Sequence, residues 1–503
     1  MGIVVSVVIA FFLSPFVLIK LGPTRFGIWA ILNTVLGLYG FLDLGVRAAF
    51  EHRLTRAVYR RNQNYVNHVF GTGQHLTNMI GSVTAASSIT AACVIAFSNL
   101  VPIELRMEVA ICSLVYGCLM AAKFLFFPYQ AIISSVRRFD VRSQIGIATS
   151  IAVGISSAFS VYLSPSLASL SIFAGVPVFG SLLGSRIIAR RLYPGIVPHP
   201  PSRRVRKLLL RTGVLRIANG ISNHISWHID SITIASLCGV ANVAGYSIAA
   251  SVSFNFLTTA RIYGPTVFGH ASQAFAERRV EELERLFIYA TKYCSFFAIP
   301  LAVISFIYSR AFFAIWLEGS PVVATQHPDL IYSILVGSTL FILMSVPATQ
   351  VLLASEKMRF VAIVTMIEAA INLSLSIALG IAFGTIGVAL ATVVASVLFS
   401  FPARIVAAAR STETGLTKFF KDAFARLLLC VLIFVPIVIL IRGNDDIDTW
   451  STLILKGVYC VFAWTAIAFT LGTSRYEKVF VTERMSRLVR GIASRISRTL
   501  RSS

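Results

Sequence analysis

Residues 360–409 read FVAIVTMIEAAINLSLSIALGIAFGTIGVALATVVASVLFSFPARIVAAA. Only Glu368 and Arg404 in this stretch carry a charge. A helix that crosses the hydrocarbon core of a bilayer needs about 20 predominantly apolar residues, so the stretch is long enough for two such helices. It therefore predicts one membrane-spanning helix over residues 360–383 and a second over residues 386–409.

The rest of the chain has the same character. Of its 503 residues, 56% are hydrophobic and 13% are charged, and the mean hydropathy is +0.80. A soluble protein of this length needs far more charged surface, so the composition predicts an all-α polytopic membrane protein. About fourteen stretches approach the length of a span. They cover residues 1–19, 26–44, 75–97, 109–134, 145–163, 167–189, 209–237, 243–262, 289–315, 330–354, 360–383, 386–409, 427–441 and 453–471.

The basic residues predict how these spans are oriented. A net charge of +23 in a soluble protein indicates nucleic acid, but here the cations flank spans, where they retain loops in the cytoplasm and meet anionic lipids. With the N-terminus threaded inside, all but seven of the 44 lysines and arginines fall on the cytoplasmic side. We therefore expect both termini in the cytoplasm, anionic membrane lipids as partners and no nucleic acid. The exceptions are Lys20, Arg25, Arg106 and Arg442 on the outer side, and Lys123, Arg310 and Lys456 within or near spans.

A proline- and arginine-rich segment divides the first twelve spans into two groups of six. Its composition predicts an extended cytoplasmic linker rather than another helix. Gly22 and Gly27 flank the turn after the first span as Gly239 and Gly245 flank the turn after the seventh, which suggests two pseudo-symmetric lobes. The predicted parts are a six-helix lobe over 1–193, the linker over 194–208, a second six-helix lobe over 209–410, an additional helix pair over 411–474 and a basic tail over 475–503.

The tail has two interpretations. Its apolar residues recur at helical spacing with arginines on the opposite face, which is typical of an amphipathic helix at the membrane interface. The alternative is a solvated basic tail.

Polar residues inside the predicted spans are the functional candidates, because ionisable groups in a bilayer face a bundle interior or a water-filled cavity. The seventh span carries a stripe of polar residues at spacings of three or four, which suits the wall of a central cavity. The alternative is a helix–helix interface held by amide hydrogen bonds. The stripe consists of Arg216, Asn219, Asn223, Ser226, Trp227 and Asp230.

Two further spans repeat this pattern. The eighth carries Asn255 on a polar face, with Arg261 near its inner end. The eleventh carries Glu368 and Asn372 on one face. Glu368 is a candidate for a protonation role, and the alternative is a hydrogen bond to a neighbouring helix.

Two other sites are predicted in the first lobe. Asp43 and Arg47 lie four residues apart and pair at a helix end, either as a structural ion pair or as an inner gate. Lys123 lies deep in the fourth span, where it either neutralises a buried carboxylate or offers a cation to an anionic substrate.

Enzymatic function is not indicated. The chain has no Walker A motif, no His-Glu-x-x-His and no nucleophile elbow, and its predicted outer loops are too short to hold a large catalytic domain. None of the seven cysteines has metal-ligand spacing, so we expect neither a metal site nor a cofactor.

Four groups of residues resemble a known family. They are Leu21-Gly-Pro-Thr-Arg-Phe-Gly-Ile-Trp29 with Leu42-Asp43-Leu-Gly45, Gln130-Ala with Arg138-Phe-Asp140, Asp230-Ser-Ile-Thr-Ile-Ala-Ser-Leu-Cys-Gly239 with Val243-Ala-Gly-Tyr246, and Glu368-Ala-Ala-Ile-Asn372 with Gly384-Thr-Ile-Gly387-Val-Ala-Leu-Ala-Thr392. In this order they are similar to bacterial polysaccharide flippases. That family belongs to the MOP transporter superfamily, with lipid II flippases and MATE exporters.

The resemblance implies a function. It implies alternating access of two lobes around a cavity, which carries a lipid-pyrophosphate-linked oligosaccharide across the bacterial inner membrane. It also implies polysaccharide polymerase and glycosyltransferases of the same pathway as candidate partners. Lys123, Arg216 and Arg261 would then meet the pyrophosphate, since arginine and lysine favour phosphate, and Asn219, Asn223 and Asn255 the sugar hydroxyls. The placement of polar residues within the spans, and not the resemblance, suggests coupling or gating at Asp43, Arg47, Asp230, Glu368 and Asn372.

Two alternatives stay open. A MATE-like exporter of cationic drugs or metabolites needs an acidic cavity, whereas Lys123, Arg216 and Arg261 are basic. A non-transporting membrane component of a glycan-assembly complex needs no cavity at all.

Overall fold

The computed structural model describes residues 2–39, 46–97, 102–209, 229–260, 263–443 and 447–473. Within these ranges the chain forms helices joined by short connections, and no strand occurs among them. The prediction of an all-α polytopic membrane protein is confirmed.

Among the described residues up to Leu192, the chain forms six helices. The short α2 is the most polar of them and lies on the predicted cytoplasmic side. The helices are α1 (Gly2–Tyr39), α2 (Val46–Tyr59), α3 (Gln63–Phe97), α4 (Ile103–Ser135), α5 (Phe139–Leu163) and α6 (Leu167–Leu192).

The second part begins with a helix over residues 229–237, here α7. The helices that follow are α8 (Val243–Ala260), α9 (Gly264–Ala276), α10 (Val280–Trp316), α11 (Val322–Gln326), α12 (Pro328–Met344), α13 (Val346–Ala354), α14 (Met358–Val394), α15 (Phe401–Ser411), α16 (Leu416–Phe420), α17 (Arg426–Arg442) and α18 (Trp450–Ile467). π-Helical turns lie between α14 and α15, between α16 and α17, and after α18.

Eleven helical segments of the described ranges are long and apolar enough to cross a membrane. Two of them, Val5–Thr34 and Met358–Ser411, each overlap two of the predicted spans. Most of the predicted seventh span lies outside the described residues. Thirteen of the fourteen predicted spans therefore overlap a described helical segment, and the seventh, of which the structure describes only residues 209 and 229–237, stays a prediction.

Glycines turn the chain within the two long segments. Gly22 in α1 has φ +79° and Gly384 in α14 has φ +61°, so the helical path breaks at both positions. Residues other than glycine rarely adopt positive φ, because Cβ clashes with the backbone there. Each glycine therefore marks the turn between two spans, and the chain is helical on both sides of it.

The chain forms two compact units. The first comprises Met1–Asn255, Trp316–Leu335 and Ala362–Ala395, and its core includes Phe50 and Phe70, both fully buried. The second comprises Phe256–Ile315, Val336–Val361 and Ser396–Ser503. In the second unit, Phe434 of α17 and Trp464 of α18 pack with α10, so the additional helix pair has an apolar core with its neighbour. The predicted division into two lobes, a linker and a tail stays a prediction.

The linker after α6 is bound along α3. Residues 193–202 are not helical, as predicted, whereas residues 203–209 form a helix, because no proline follows Pro201. The backbone N–H of Val197 donates to Asn67 Oδ1 at 3.2 Å, and that of Ser202 donates to Thr72 Oγ1 at 3.0 Å. Gly71 leaves room for His199, since a Cβ there would lie 2.0 Å from the His199 carbonyl oxygen.

Replacing Gly71 with alanine should release the linker from α3. In most helices a change from glycine to alanine stabilises the helix by about 1 kcal/mol. Here the added methyl group would overlap the backbone of His199. A local loss of about 1–3 kcal/mol is typical of overpacking, and it should raise the rate of tryptic cleavage at the linker arginines about tenfold. Gly184→Ala is the control, because its Cβ meets nothing within 4 Å. Equal rates of cleavage in the two variants would contradict the binding of the linker along α3.

Candidate functional site

The first candidate site surrounds the carboxylate of Asp230, which is 2% exposed. Tyr246 Oη donates a hydrogen bond to Asp230 Oδ2 at 2.6 Å, and Thr392 Oγ1 donates to the same oxygen at 3.0 Å. Asn372 Nδ2 and Ser376 Oγ each lie 3.4 Å from Asp230 Oδ1 as donors. We call these five residues the Asp230 cluster.

The helices α7, α8 and α14 bring the Asp230 cluster together. Asn372 and Ser376 are four residues apart, so they lie on one face of α14 before its break at Gly384. Thr392 follows the break, and its hydroxyl also lies 3.4 Å from Asn372 Oδ1. The turn at Gly384 therefore folds both halves of α14 onto the same carboxylate.

The Asp230 cluster offers a carboxylate and several neutral oxygens in a site closed to solvent. A buried carboxylate is costly to ionise without an opposite charge, and neutral donors offset only part of that cost. Carboxylate, hydroxyl and amide oxygens are also the ligands of small hard cations. The groups present are therefore of the kind that hold a proton or a small hard cation.

The second candidate site is a cavity of about 410 Å³ between α4, α5 and α6 near the start of α2. We call it the basic cavity. Three of its lining residues are cations, namely Arg47, Lys123 and Arg142, and among the described residues that line it none is acidic. Its polar wall is completed by Gln130, Thr149, Ser150, Ser181 and Ser185.

The three cations differ in their surroundings. Arg142 Nη1 donates to Glu51 Oε1 at 2.8 Å, so its charge is partly balanced. The guanidinium carbon of Arg47 lies 4.3 Å from the centroid of the Phe127 ring. Lys123 is exposed to the cavity, and within the described part of the chain it has no ion-pair partner.

An anionic group is the ligand that suits this cavity. The first of the two interpretations of Lys123, neutralisation of a carboxylate, has no support among the described residues. Lys123 lies 12 positions before the end of α4, about 18 Å along the helix, so its charge is held well inside the predicted span. A cation at that depth requires water or an anion nearby.

An ion pair at the opposite, predicted outer end was not expected from the sequence. Arg25 Nη2 and Nε donate to the two carboxylate oxygens of Glu108 at 3.0 and 3.2 Å, and the backbone N–H of Leu167 donates to Glu108 Oε2 at 3.2 Å. Glu108 therefore joins α1, α4 and the start of α6. The sequence signal that could have predicted this pair is that Arg25 and Glu108 both lie beside predicted outer turns of the same lobe and carry opposite charges.

The other predicted site residues are placed as follows. Glu368 is buried on α14 four residues before Asn372, and Asn255 is half-buried on α8. The structure brings Asp230 and Asn372 together and adds Tyr246, Ser376 and Thr392 to them. The residues outside the described ranges are Asp43, Arg216, Asn219, Asn223 and Arg261, together with the basic tail.

Comparison with known proteins identifies the fold. Residues 221–378 match the MatE family model. The lipid II flippase MurJ, in an inward closed conformation, superimposes with a TM-score of 0.68 at 16% identity, over 93% of this chain and 98% of that one. An inward-facing multidrug resistance MATE family transporter of the MOP superfamily gives 0.67 at 14% identity, over 82% and 99%. This chain has the MOP-superfamily fold.

The matches confirm the resemblance to MOP transporters that the sequence motifs indicated. The chain is a multi-pass integral membrane protein. A further relative of this MOP-fold chain is the uncharacterized membrane protein EpsK of Bacillus subtilis (strain 168). It is 22% identical over 499 residues, which cover 95% of each protein. The similar solved structures named above are a flippase and a transporter.

Proposed function

We propose that this MOP-fold chain translocates a lipid-pyrophosphate-linked oligosaccharide from the inner to the outer leaflet of the bacterial inner membrane, for cell-surface or exported polysaccharide. The observation that supports it most is the basic cavity, which presents Lys123 with no ion-pair partner among the described residues. Lipid-linked donors carry their charge on phosphate, and phosphate favours such cations.

The cavity lining also suits the sugar. Hydroxyls of Thr149, Ser150 and Ser181 line the same space as Lys123. Hydroxyl groups both donate and accept hydrogen bonds, so they accept many sugar geometries. A volume of about 410 Å³ lies within the usual range for small-molecule sites and admits a pyrophosphate with its first sugar.

Alternating access then needs a contact that opens and closes. The ion pair of Arg25 with Glu108 holds α1, α4 and α6 together at the predicted outer side, while the lining of the basic cavity includes Arg47 and Arg142 near predicted cytoplasmic helix ends. The Asp230 cluster supplies the coupling, because a change of its charge alters the relative stability of two states.

The MATE-like alternative has weaker support. A cationic drug would meet Lys123 and Arg47 in the basic cavity, and like charges at close range repel. Export of a cationic substrate would therefore require a different site in this chain.

Purified protein in liposomes tests the proposal. A fluorescent lipid-pyrophosphate-linked oligosaccharide should move across the bilayer at least about tenfold faster than in protein-free liposomes, since one decade corresponds to about 1.4 kcal/mol of barrier. The same oligosaccharide on an uncharged lipid should move at the background rate. Transport of a cationic dye without transport of the glycolipid would instead support an exporter, and transport of neither would support a non-transporting component.

A further inference from the structure

A groove in the second unit lies beside the cytoplasmic start of α10, as threaded from the sequence. It has a volume of about 690 Å³ and is bordered by α10 on one side and by α16 and the start of α17 on the other. Five cations line it, which are Arg285, Lys292, Lys418, Lys421 and Arg426, and three carboxylates, which are Glu281, Glu284 and Asp422, so cations are in excess. We call it the basic groove.

Ion pairs leave part of this positive charge uncompensated. Lys418 Nζ lies 2.8 Å from Glu284 Oε1, and Arg285 Nη2 lies 3.9 Å from Glu281 Oε2, so two of the five cations have carboxylate partners. Lys421 and Arg426 are exposed and form no ion pair or hydrogen bond with any described residue. These two cations are therefore available to a ligand.

Lys421 and Arg426 both line the groove, and a π-helical turn joins them. The turn covers Lys421–Ala425, and Arg426 follows it directly. In a regular α-helix, positions five apart point about 140° away from each other. The wider turn, with i→i+5 hydrogen bonds, reduces that angle, and such turns are frequent at functional sites.

The aromatic residues beside the groove indicate the membrane interface. Tyr289 and Tyr293 are 47% and 50% exposed, and their rings stack with centroids 6.4 Å apart. The ammonium of Lys292 lies 5.8 Å from the Tyr293 ring centroid. Tyrosine is enriched at the level of the lipid headgroups. With 37 residues, α10 is much longer than one span, so its first turns extend beyond the hydrocarbon.

The same two helices, α10 and α17, also carry exposed apolar residues, which form an apolar surface on each. On α17 it comprises Leu428 and Leu432, the latter 64% exposed, and on α10 it comprises Phe297. Acyl chains cover such surfaces in a membrane. A ligand with an anionic head in the groove and two apolar chains on this surface fits both features.

We propose that the basic groove binds the headgroup phosphate of an anionic phospholipid of the cytoplasmic leaflet. The phosphate contacts Lys421 and Arg426, and the acyl chains lie against α10 and α17. This lipid holds α17, the first helix of the additional pair, against α10. The proposal does not depend on which substrate the transporter carries.

Lipid retained by the purified full-length protein tests the proposal. Protein reconstituted in mixed phosphatidylglycerol and phosphatidylcholine is extracted in mild detergent, and the bound lipid is counted by mass spectrometry. The wild type should retain phosphatidylglycerol preferentially. The double variant Lys421→Gln/Arg426→Gln should lose that preference about 10- to 30-fold, since a cation near an anionic surface contributes about 1 kcal/mol.

Matched variants separate a specific site from general charge and from misfolding. Arg56→Gln/Arg60→Gln removes two exposed cations on the same predicted side and should retain lipid as the wild type does. Lys421→Arg/Arg426→Lys keeps both charges and should also retain it. An equal loss in the Arg56/Arg60 pair, or no loss in the Lys421/Arg426 pair, would overturn the proposal. Displacement of the lipid by millimolar inorganic phosphate would do so as well, because it would assign the groove to a soluble anion.

Discussion

Lys123→Ala should lower transport of a lipid-pyrophosphate-linked oligosaccharide about 10- to 100-fold in proteoliposomes. Lys123 is the cation of the basic cavity that has no ion-pair partner among the described residues, so its charge is available to the substrate. A hydrogen bond to a charged group contributes about 1.5–3 kcal/mol, which corresponds to this range of rates. The loss should appear mainly as a higher substrate concentration at half-maximal rate.

Two control variants test whether the loss of transport comes from misfolding or from the removal of any lysine charge. Lys123→Arg keeps the charge and should retain most of the transport. Lys20→Ala removes an exposed lysine at the predicted outer turn after the first span and should have no effect. If Lys123→Ala transports at the wild-type rate, the pyrophosphate does not bind in the basic cavity, and the proposal for that cavity fails.

Asp230→Asn should abolish the response of transport to an imposed ion gradient. The wild type should be driven by a gradient of protons or of sodium ions, tested separately, because either ion can neutralise a buried carboxylate surrounded by oxygen ligands. Asparagine has nearly the same shape but no charge to exchange. An ion that no longer binds one state more tightly than the other cannot shift the equilibrium between them. The part of the transport rate that depends on the gradient should therefore fall at least about tenfold.

Three further variants define what Asp230 contributes. Asp448→Asn in the predicted outer loop should keep the response, because this exposed carboxylate lies outside the cluster. Tyr246→Phe removes the 2.6 Å hydrogen bond to Asp230 and should shift the ion concentration at half-maximal response without abolishing it. Loss of the response in Glu368→Gln but not in Asp230→Asn would transfer the coupling role to Glu368 and contradict our assignment.

Much of the fold follows from local sequence. The spans of α1, α4 and α14 are predictable because the cost of placing polar groups in hydrocarbon acts on each segment separately. The turns at Gly22 and Gly384 are also visible, since glycine is the residue that accepts positive φ.

The composition of the sites was predictable only in part. Asp230, Asn372 and Lys123 stand out because each is polar within an apolar stretch. That Tyr246 and Thr392 donate to Asp230 depends on the packing of α7, α8 and α14, which helical spacing within one span does not specify. The Arg25–Glu108 pair joins residues 83 positions apart and has no periodic signal at all.

By itself, the sequence determined the membrane class of this protein, its candidate spans and a short set of intramembrane polar residues. These properties depend on the transfer of single segments from water to lipid, which is a sum over local residues. The tertiary structure alone decided which cations share the basic cavity, which donors surround Asp230 and where the linker lies on α3. Such contacts depend on the directions in which packed helices present their side chains, and residues far apart in the chain determine those directions together.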